Sequence, residues 1–151
     1  MHVTELSTGK ELTVSIERMP DGDYKLVTKK RFFFNWKLEK ANNVFKLQLD
    51  GTGEILGIVS FIHYPKEKRL EIHLLAVSNE NREKHKKYER IAGNLIAYGC
   101  REAYEHYAED GAVSLIPKTA IRRHYIEKYG MIDVGWQLVL FRSSLVELIK
   151  V

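Results

Sequence analysis

Between residues 70 and 116 the hydrophobic pattern changes period twice, and this constrains the fold more than any other feature of the chain. Leu70-Glu71-Ile72-His73-Leu74-Leu75-Ala76-Val77 is an almost continuous apolar run, as in a strand covered on both faces. From Tyr88 the apolar residues recur at spacings of three and four, through Ile91, Ala92, Leu95, Tyr98, Gly99 and Ala103. That spacing predicts an amphipathic helix of about five turns. Glu109-Asp110-Gly111 ends it, and Ala112-Val113-Ser114-Leu115-Ile116 reads as a short buried strand stopped by Pro117. Strand, helix and strand in succession make a parallel crossover, which opens a ligand cleft at the carboxyl ends of its strands.

The flanking segments add strands. Leu12 to Met19 alternates apolar and polar residues, Pro20-Asp21-Gly22-Asp23 signals a turn, and Tyr24 to Thr28 resumes the alternation, so a hairpin is expected. Arg31-Phe32-Phe33-Phe34-Asn35-Trp36 is an aromatic knot without a period, leading into a loop or short helix through Asn43. Val44 to Leu49 and Ile55 to Tyr64 read as strands joined at Asp50-Gly51-Thr52-Gly53, and Pro65 to Lys68 turns the chain back. After the crossover, Thr119 is placed to cap a second helix through Tyr129, and Gly130 to close it in a left-handed conformation. Met131 to Phe141 supplies the last strand or strands with a bend at Gly135, and Ser143-Ser144 starts a short terminal helix. The sum is an α+β fold of three layers: a mixed, mostly antiparallel sheet with one parallel βαβ crossover and flanking helices.

At 151 residues and 44% hydrophobic content the chain fits one globular domain. Its apolar runs are too short to cross a bilayer, and Met1 opens onto none of the regions of a secretory leader, so a cytoplasmic protein is expected. Cys100 is the single cysteine, and the histidines lack ligand spacing, so no disulfide and no metal are expected. Positive charge gathers in three segments, residues 25–40, 80–90 and 118–128. A polyanionic ligand, either a phosphorylated cofactor or a nucleic acid, suits such clusters, and solvated surfaces account for any one of them equally well.

Alternation along the strand puts Glu71 on one face with His73, Leu75 and Val77. A partly buried carboxylate can act as general base, and His73 can share that role; an ion pair to a neighbouring Lys or Arg is the structural alternative for Glu71, and a hydrogen-bonded structural histidine that for His73. Tyr125 offers a hydroxyl that could protonate a leaving group, although a tyrosine on a helix face also serves as core.

By order of elements, residues 44–141 resemble the GNAT superfamily of N-acetyltransferases. The resemblance rests on Leu75-Ala76-Val77 at a strand end, on the stretch from Asn79 to Ala92 before a long helix, and on His124-Tyr125-Ile126-Glu127-Lys128-Tyr129-Gly130-Met131, which is similar to the family's "lYeklGF" segment. It implies an acetyltransferase-like core at residues 44–151 behind a divergent N-terminal segment, 1–43, within one domain. It further implies acetyl-CoA lying between the strands ending at Val77 and Ile116, held by the backbone of Leu75 and Val77, with Glu71 as base and Tyr125 as acid. The family loop Q/R-x-x-G-x-G/A falls on Lys87-Tyr88-Glu89-Arg90-Ile91-Ala92, so Lys87, Arg90, Ala92 and Gly93 are the expected phosphate contacts. Arg90 stands where that motif has its central glycine; a frame shifted to Arg90-Ile91-Ala92-Gly93-Asn94-Leu95 recovers one glycine, and an ordinary solvated helix capped by Asn81 is the plain alternative. Lys118 and Met131 also depart from the pattern. Two functions follow: acetyl transfer to a small-molecule or protein amine, or a GNAT-shaped module without catalysis that binds a protein or nucleic acid through its basic segments and exposed aromatics. A homodimer in which the final strand and Phe32–Trp36 face a second copy is compatible with either.

Overall fold

The computed structural model describes residues 1–116, 122–133, 137–141 and 149; the side chains of Glu83, of residues 122–125 and of Phe141 lie outside that description. Its strands are β1 (His2–Glu5), β2 (Glu11–Arg18), β3 (Asn43–Leu49), β4 (Ile55–Tyr64), β5 (Arg69–Val77), β6 (Tyr88–Glu89), β7 (Ala112–Leu115), β8 (Ile132–Asp133) and β9 (Leu138–Phe141), and its helices are α1 (Lys29–Phe32), α2 (Ile91–Tyr107) and α3 (Arg122–Tyr129). The sheet runs β6-β1-β2-β3-β4-β5-β7-β9-β8, with β5 and β7 parallel. The expected mixed sheet with one parallel crossover is present. Two compact units divide the chain: residues 1–60 with 74–95, and residues 61–73 with 96–151.

The first unit holds a strand that local pattern did not reveal. Four-residue β1 pairs antiparallel with β2, Val3 opposite Leu12, and on its other edge with β6, where Thr4 meets Glu89 and Glu5 meets Tyr88. Tyr88 therefore belongs to a strand, and α2 begins only at Ile91, three residues later than its apolar spacing suggests. β2 pairs on its far side with β3, from Val14↔Leu49 to Arg18↔Phe45.

The hairpin expected at residues 12–28 does not form. After β2 the chain winds through a 3-10 turn at Asp21–Leu26, helix α1 capped by Thr28, and a second 3-10 turn at Trp36–Glu39. The Oγ1 of Thr28 accepts the Arg31 N–H at 3.3 Å, and Phe33 closes α1 at φ +70°. Burial explains the outcome: Met19, Tyr24, Val27, Phe32 and Trp36 pack with Val44, Ile55, Ile58 and Ala76 into one core cluster. An extended Tyr24–Thr28 would turn alternate residues outward, whereas the tight turns send Tyr24 and Val27 inward together. Trp36 also donates its Nε1–H to the Phe32 carbonyl at 3.0 Å, satisfying its buried polar atom. Phe32 and Trp36 are only 0% and 1% exposed, and Phe33 and Phe34 pack partly buried against the same cluster, so the knot gives two of its four aromatics to the core. At Gly57 a Cβ would lie 2.8 Å from Ile91 and 2.9 Å from Leu95, which is why glycine interrupts β4 where α2 crosses it.

In the second unit the β5–β7 ladder runs from Arg69↔Ala112 to Ile72↔Leu115, where β7 ends; β5 itself continues to Val77. β9 pairs antiparallel with β7 and with two-residue β8. Gly99 lets α2 approach the Phe61 ring, to which a Cβ would come within 3.0 Å. Gly130 ends α3 as expected, at φ +69° with its N–H on the Ile126 carbonyl at 3.1 Å. Pro117, Lys118, the Thr119 cap, the Gly135 bend and the Ser143-Ser144 helix lie outside the described residues.

Candidate functional site

Residues 75–93, from the end of β5 to the start of α2, carry the expected cofactor contacts and belong to the first unit. Leu75 and Val77 are half-buried at the end of β5. Beyond them Ser78 donates its N–H to the Leu56 carbonyl at 2.9 Å, and 3-10 turns follow at Asn79–Asn81 and Glu83–His85. Asn81 does not cap α2 as the plain alternative had it; it is buried and donates its Nδ2–H to Ser78 Oγ at 2.8 Å. The Lys87 side chain is exposed while its carbonyl accepts the Leu6 N–H at 2.8 Å.

Arg90 occupies the start of α2. Its carbonyl accepts the Asn94 N–H at 3.0 Å, the first helical bond, so the N–H groups of Ile91, Ala92 and Gly93 precede the intrahelical ladder. Three amides at the positive end of a 17-residue helix make an anion-favouring terminus. Arg90 has φ +80°, the left-handed region that glycine enters freely and that costs other residues roughly 1–3 kcal/mol. Two contacts to His2 anchor the strained residue and its helix: Arg90 Nη1 lies 2.8 Å from His2 Nε2, and Asn94 Nδ2 donates to the His2 carbonyl at 2.8 Å. His2 and Asn94 were not among the expected site residues, because the pairing of β1 with β6 brings them there across about ninety positions of sequence.

Glu71 and His73 belong to the second unit. Glu71 is 8% exposed, with Oε2 3.4 Å from Nδ1 of exposed His73 and Oε1 3.6 Å from Nη1 of Arg69. Arg69 also donates to Ser114 Oγ at 2.7 Å and to Glu67 Oε2 at 2.6 and 3.0 Å, and its guanidinium lies 4.1 Å over the Tyr64 ring. The structure thus brings Glu71 and His73 together and supplies the ion pair foreseen as the structural alternative. Arg69, two residues before Glu71 on the same strand face, was legible by alternation alone; Ser114 was not, since it arrives through the β5–β7 register. Tyr125 lies on α3, and its side chain lies outside the described residues. Among the described residues no group of three or more His, Cys, Asp or Glu could hold a metal ion, and no helix is long and apolar enough to cross a membrane.

No protein-family model and no curated protein sequence matches the chain. Solved structures do. A variant of spermidine N-acetyltransferase from Vibrio cholerae superposes with a TM-score of 0.64 at 11% identity, covering 88% of this chain and 96% of that one. The ribosomal-protein-S18-alanine N-acetyltransferase from Escherichia coli gives 0.64 at 10%, covering 87% and 95%. N-acetylglutamate synthase from Neisseria gonorrhoeae, complexed with coenzyme A and L-arginine, gives 0.65 at 15%, covering 89% of this chain and 34% of the longer one. The similarity is one of fold, and the fold is that of the GNAT N-acetyltransferases.

Proposed function

Starting from that fold, we propose that the chain is an acyltransferase that moves the acetyl group of acetyl-CoA to an amine by direct attack. The observation that carries the reading is Arg90, held at φ +80° at the head of α2 where the family loop has glycine. A backbone shape kept at a cost, in a residue poorly suited to it, supports a selected use for the amides that follow. The amides of Ile91, Ala92 and Gly93, with the Lys87 ammonium and the Arg90 guanidinium, are the proposed contacts of the cofactor pyrophosphate. The backbone of Leu75 and Val77 is the proposed support of its pantetheine arm.

In the proposed reaction Glu71, alone or through His73, takes a proton from the acceptor ammonium. The freed amine lone pair attacks the thioester carbonyl carbon, the C–S bond breaks, the departing thiolate receives a proton from the Tyr125 hydroxyl, and the extra proton on the new amide nitrogen returns to the tyrosinate oxygen. Direct attack suits this chain because its cysteine is a poor nucleophile: Cys100 is fully buried, and burial pushes its thiol up to about 12. Amines like those in the names of the fold neighbours, a polyamine and a peptide with N-terminal alanine, are the first acceptors to try.

A thermal melt tests the cofactor. Acetyl-CoA at one hundred times its Kd should stabilise the protein by about 2.7 kcal/mol. Unchanged melting at saturating acetyl-CoA would instead favour the catalytically inactive module. Glu71→Gln should retain the melting shift while thiol release with a working amine falls about 100-fold or more; full turnover in that variant removes Glu71 from the mechanism.

A further inference from the structure

The basic segment at residues 25–40 holds six Lys and Arg against one acidic residue, and the transferase reading uses none of them. Its single carboxylate, Glu39, is buried. The aromatics of the segment turn inward. With Tyr24, Val27, Phe32 and Trp36 in the core, Lys25, Lys29, Lys30 and Lys37 are left exposed on three consecutive short turns. Among the described residues none of these four makes an ion pair.

A second basic stretch joins them within the same unit. α1 touches the 3-10 turn at Asn79–Asn81, and Arg31 donates its Nε–H to Glu80 at 2.9 Å. The guanidinium of Arg82 lies 4.5 Å over the Phe33 ring, with exposed Lys84 two residues beyond. Arg31 spends its charge on Glu80, holding that carboxylate below its ordinary value despite the opposing effect of burial, so the acid is neutralised rather than left to repel an anion. What remains is four exposed lysine ammonium groups and Arg82, against the exposed carboxylate of Asp21 on the first turn.

We infer that this face of the first unit binds the phosphate backbone of RNA. Lysine is depleted from protein–protein interfaces, whereas a row of flexible point charges suits a polyphosphate chain. The surface consists of 3-10 turns and a four-residue helix, so it offers neither the recognition helix nor the two-stranded ribbon that reads B-DNA in its major groove. A-form RNA is bound chiefly through shape, phosphates and 2′-hydroxyls, which asks for no such element. The inference is independent of acetyl-CoA, and its test is run without it.

The probe is a fluorescently labelled RNA hairpin, with a DNA hairpin of the same sequence beside it, titrated with the full chain by anisotropy at several salt concentrations. Binding should favour RNA, and log K should fall linearly with log salt. Lys29→Gln with Lys30→Gln should weaken binding about tenfold or more and lower the salt slope by about two. Lys10→Gln with Lys66→Gln, an equal loss of charge elsewhere, should change both little. Each variant's melting temperature verifies its fold, and these exposed positions leave it unaffected. Absence of RNA binding, DNA binding as tight as RNA, or equal losses in the two double variants would each overturn the inference.

Discussion

Arg69, Glu71 and His73 in one unit, and Arg90, His2 and Glu11 in the other, are the same three residue types linked in two orders. In the first the carboxylate lies in the middle, 3.6 Å from the guanidinium and 3.4 Å from the imidazole, and the Arg69 and Glu71 side chains are 12% and 10% exposed. In the second the imidazole lies in the middle, 2.8 Å from Arg90 and 3.2 Å from a Glu11 whose side chain is 66% exposed. A central carboxylate can accept from both neighbours at once. A central imidazole nitrogen cannot serve both: without a proton Nε2 accepts from Arg90, and with one it donates to Glu11 and repels Arg90. Order and burial thus let one carboxylate hold two neighbours at once, and make the other network an adjustable contact at the head of a helix.

The largest expected effect tests the network centred on the carboxylate. Arg69→Met removes the guanidinium and leaves Glu71 buried without its cation, so denaturant unfolding at neutral pH should show a loss of about 3–5 kcal/mol. A loss below about 1 kcal/mol would mean that the two networks are alike. Arg90→Gly should do far less. It removes left-handed strain but adds backbone freedom to the unfolded chain and gives up the His2 contact, so stability should stay within about 1 kcal/mol of the parent. A drop of more than 2 kcal/mol would make Arg90 as structural as Arg69.

The smallest effect comes from a third cluster, in which Glu102 Oε2 lies 4.0 Å from His106 Nδ1. His63 Nδ1 lies 2.9 Å from the Tyr107 hydroxyl, and its ring centroid is 4.4 Å from that of His106. Burial first, then the neighbouring His106, lowers the affinity of His63 for a proton in the folded state. The unfolded chain therefore binds that proton more readily. Stability from this site is complete above the ordinary histidine value near 6.5 and declines as pH falls from there toward the lowered folded value. Melting temperature measured from pH 7.5 down to 5 should fall less in His63→Phe than in the parent; parallel curves would assign the acid sensitivity to other groups.

Local periodicity was enough for β3, β4, β5, α2 and β7, because each repeats its apolar residues at the spacing of its own backbone. Gly130 was legible as a left-handed cap for the same local reason. The region from Pro20 to Asn43 was not: its alternation at Tyr24 to Thr28 matches a strand, but burial of Tyr24 and Val27 in a common core favours turns. Of the candidate site, Glu71 and His73 followed from strand alternation and Lys87 and Arg90 from the family resemblance. Their partners Ser114 and His2 did not, since each reaches the site from a distant part of the chain.

The amino-acid sequence by itself determined the succession of β3, β4, β5, α2 and β7, the parallel crossover and which charged residues stand near its ends. Only the tertiary structure decided that β1 and β6 pair, that Arg90 takes a glycine-like backbone, and that Phe32 and Trp36 enter the core. These outcomes draw their free energy from contacts between residues far apart in the chain, such as His2 with Arg90 and Trp36 with the core cluster, and no window of local pattern contains both partners.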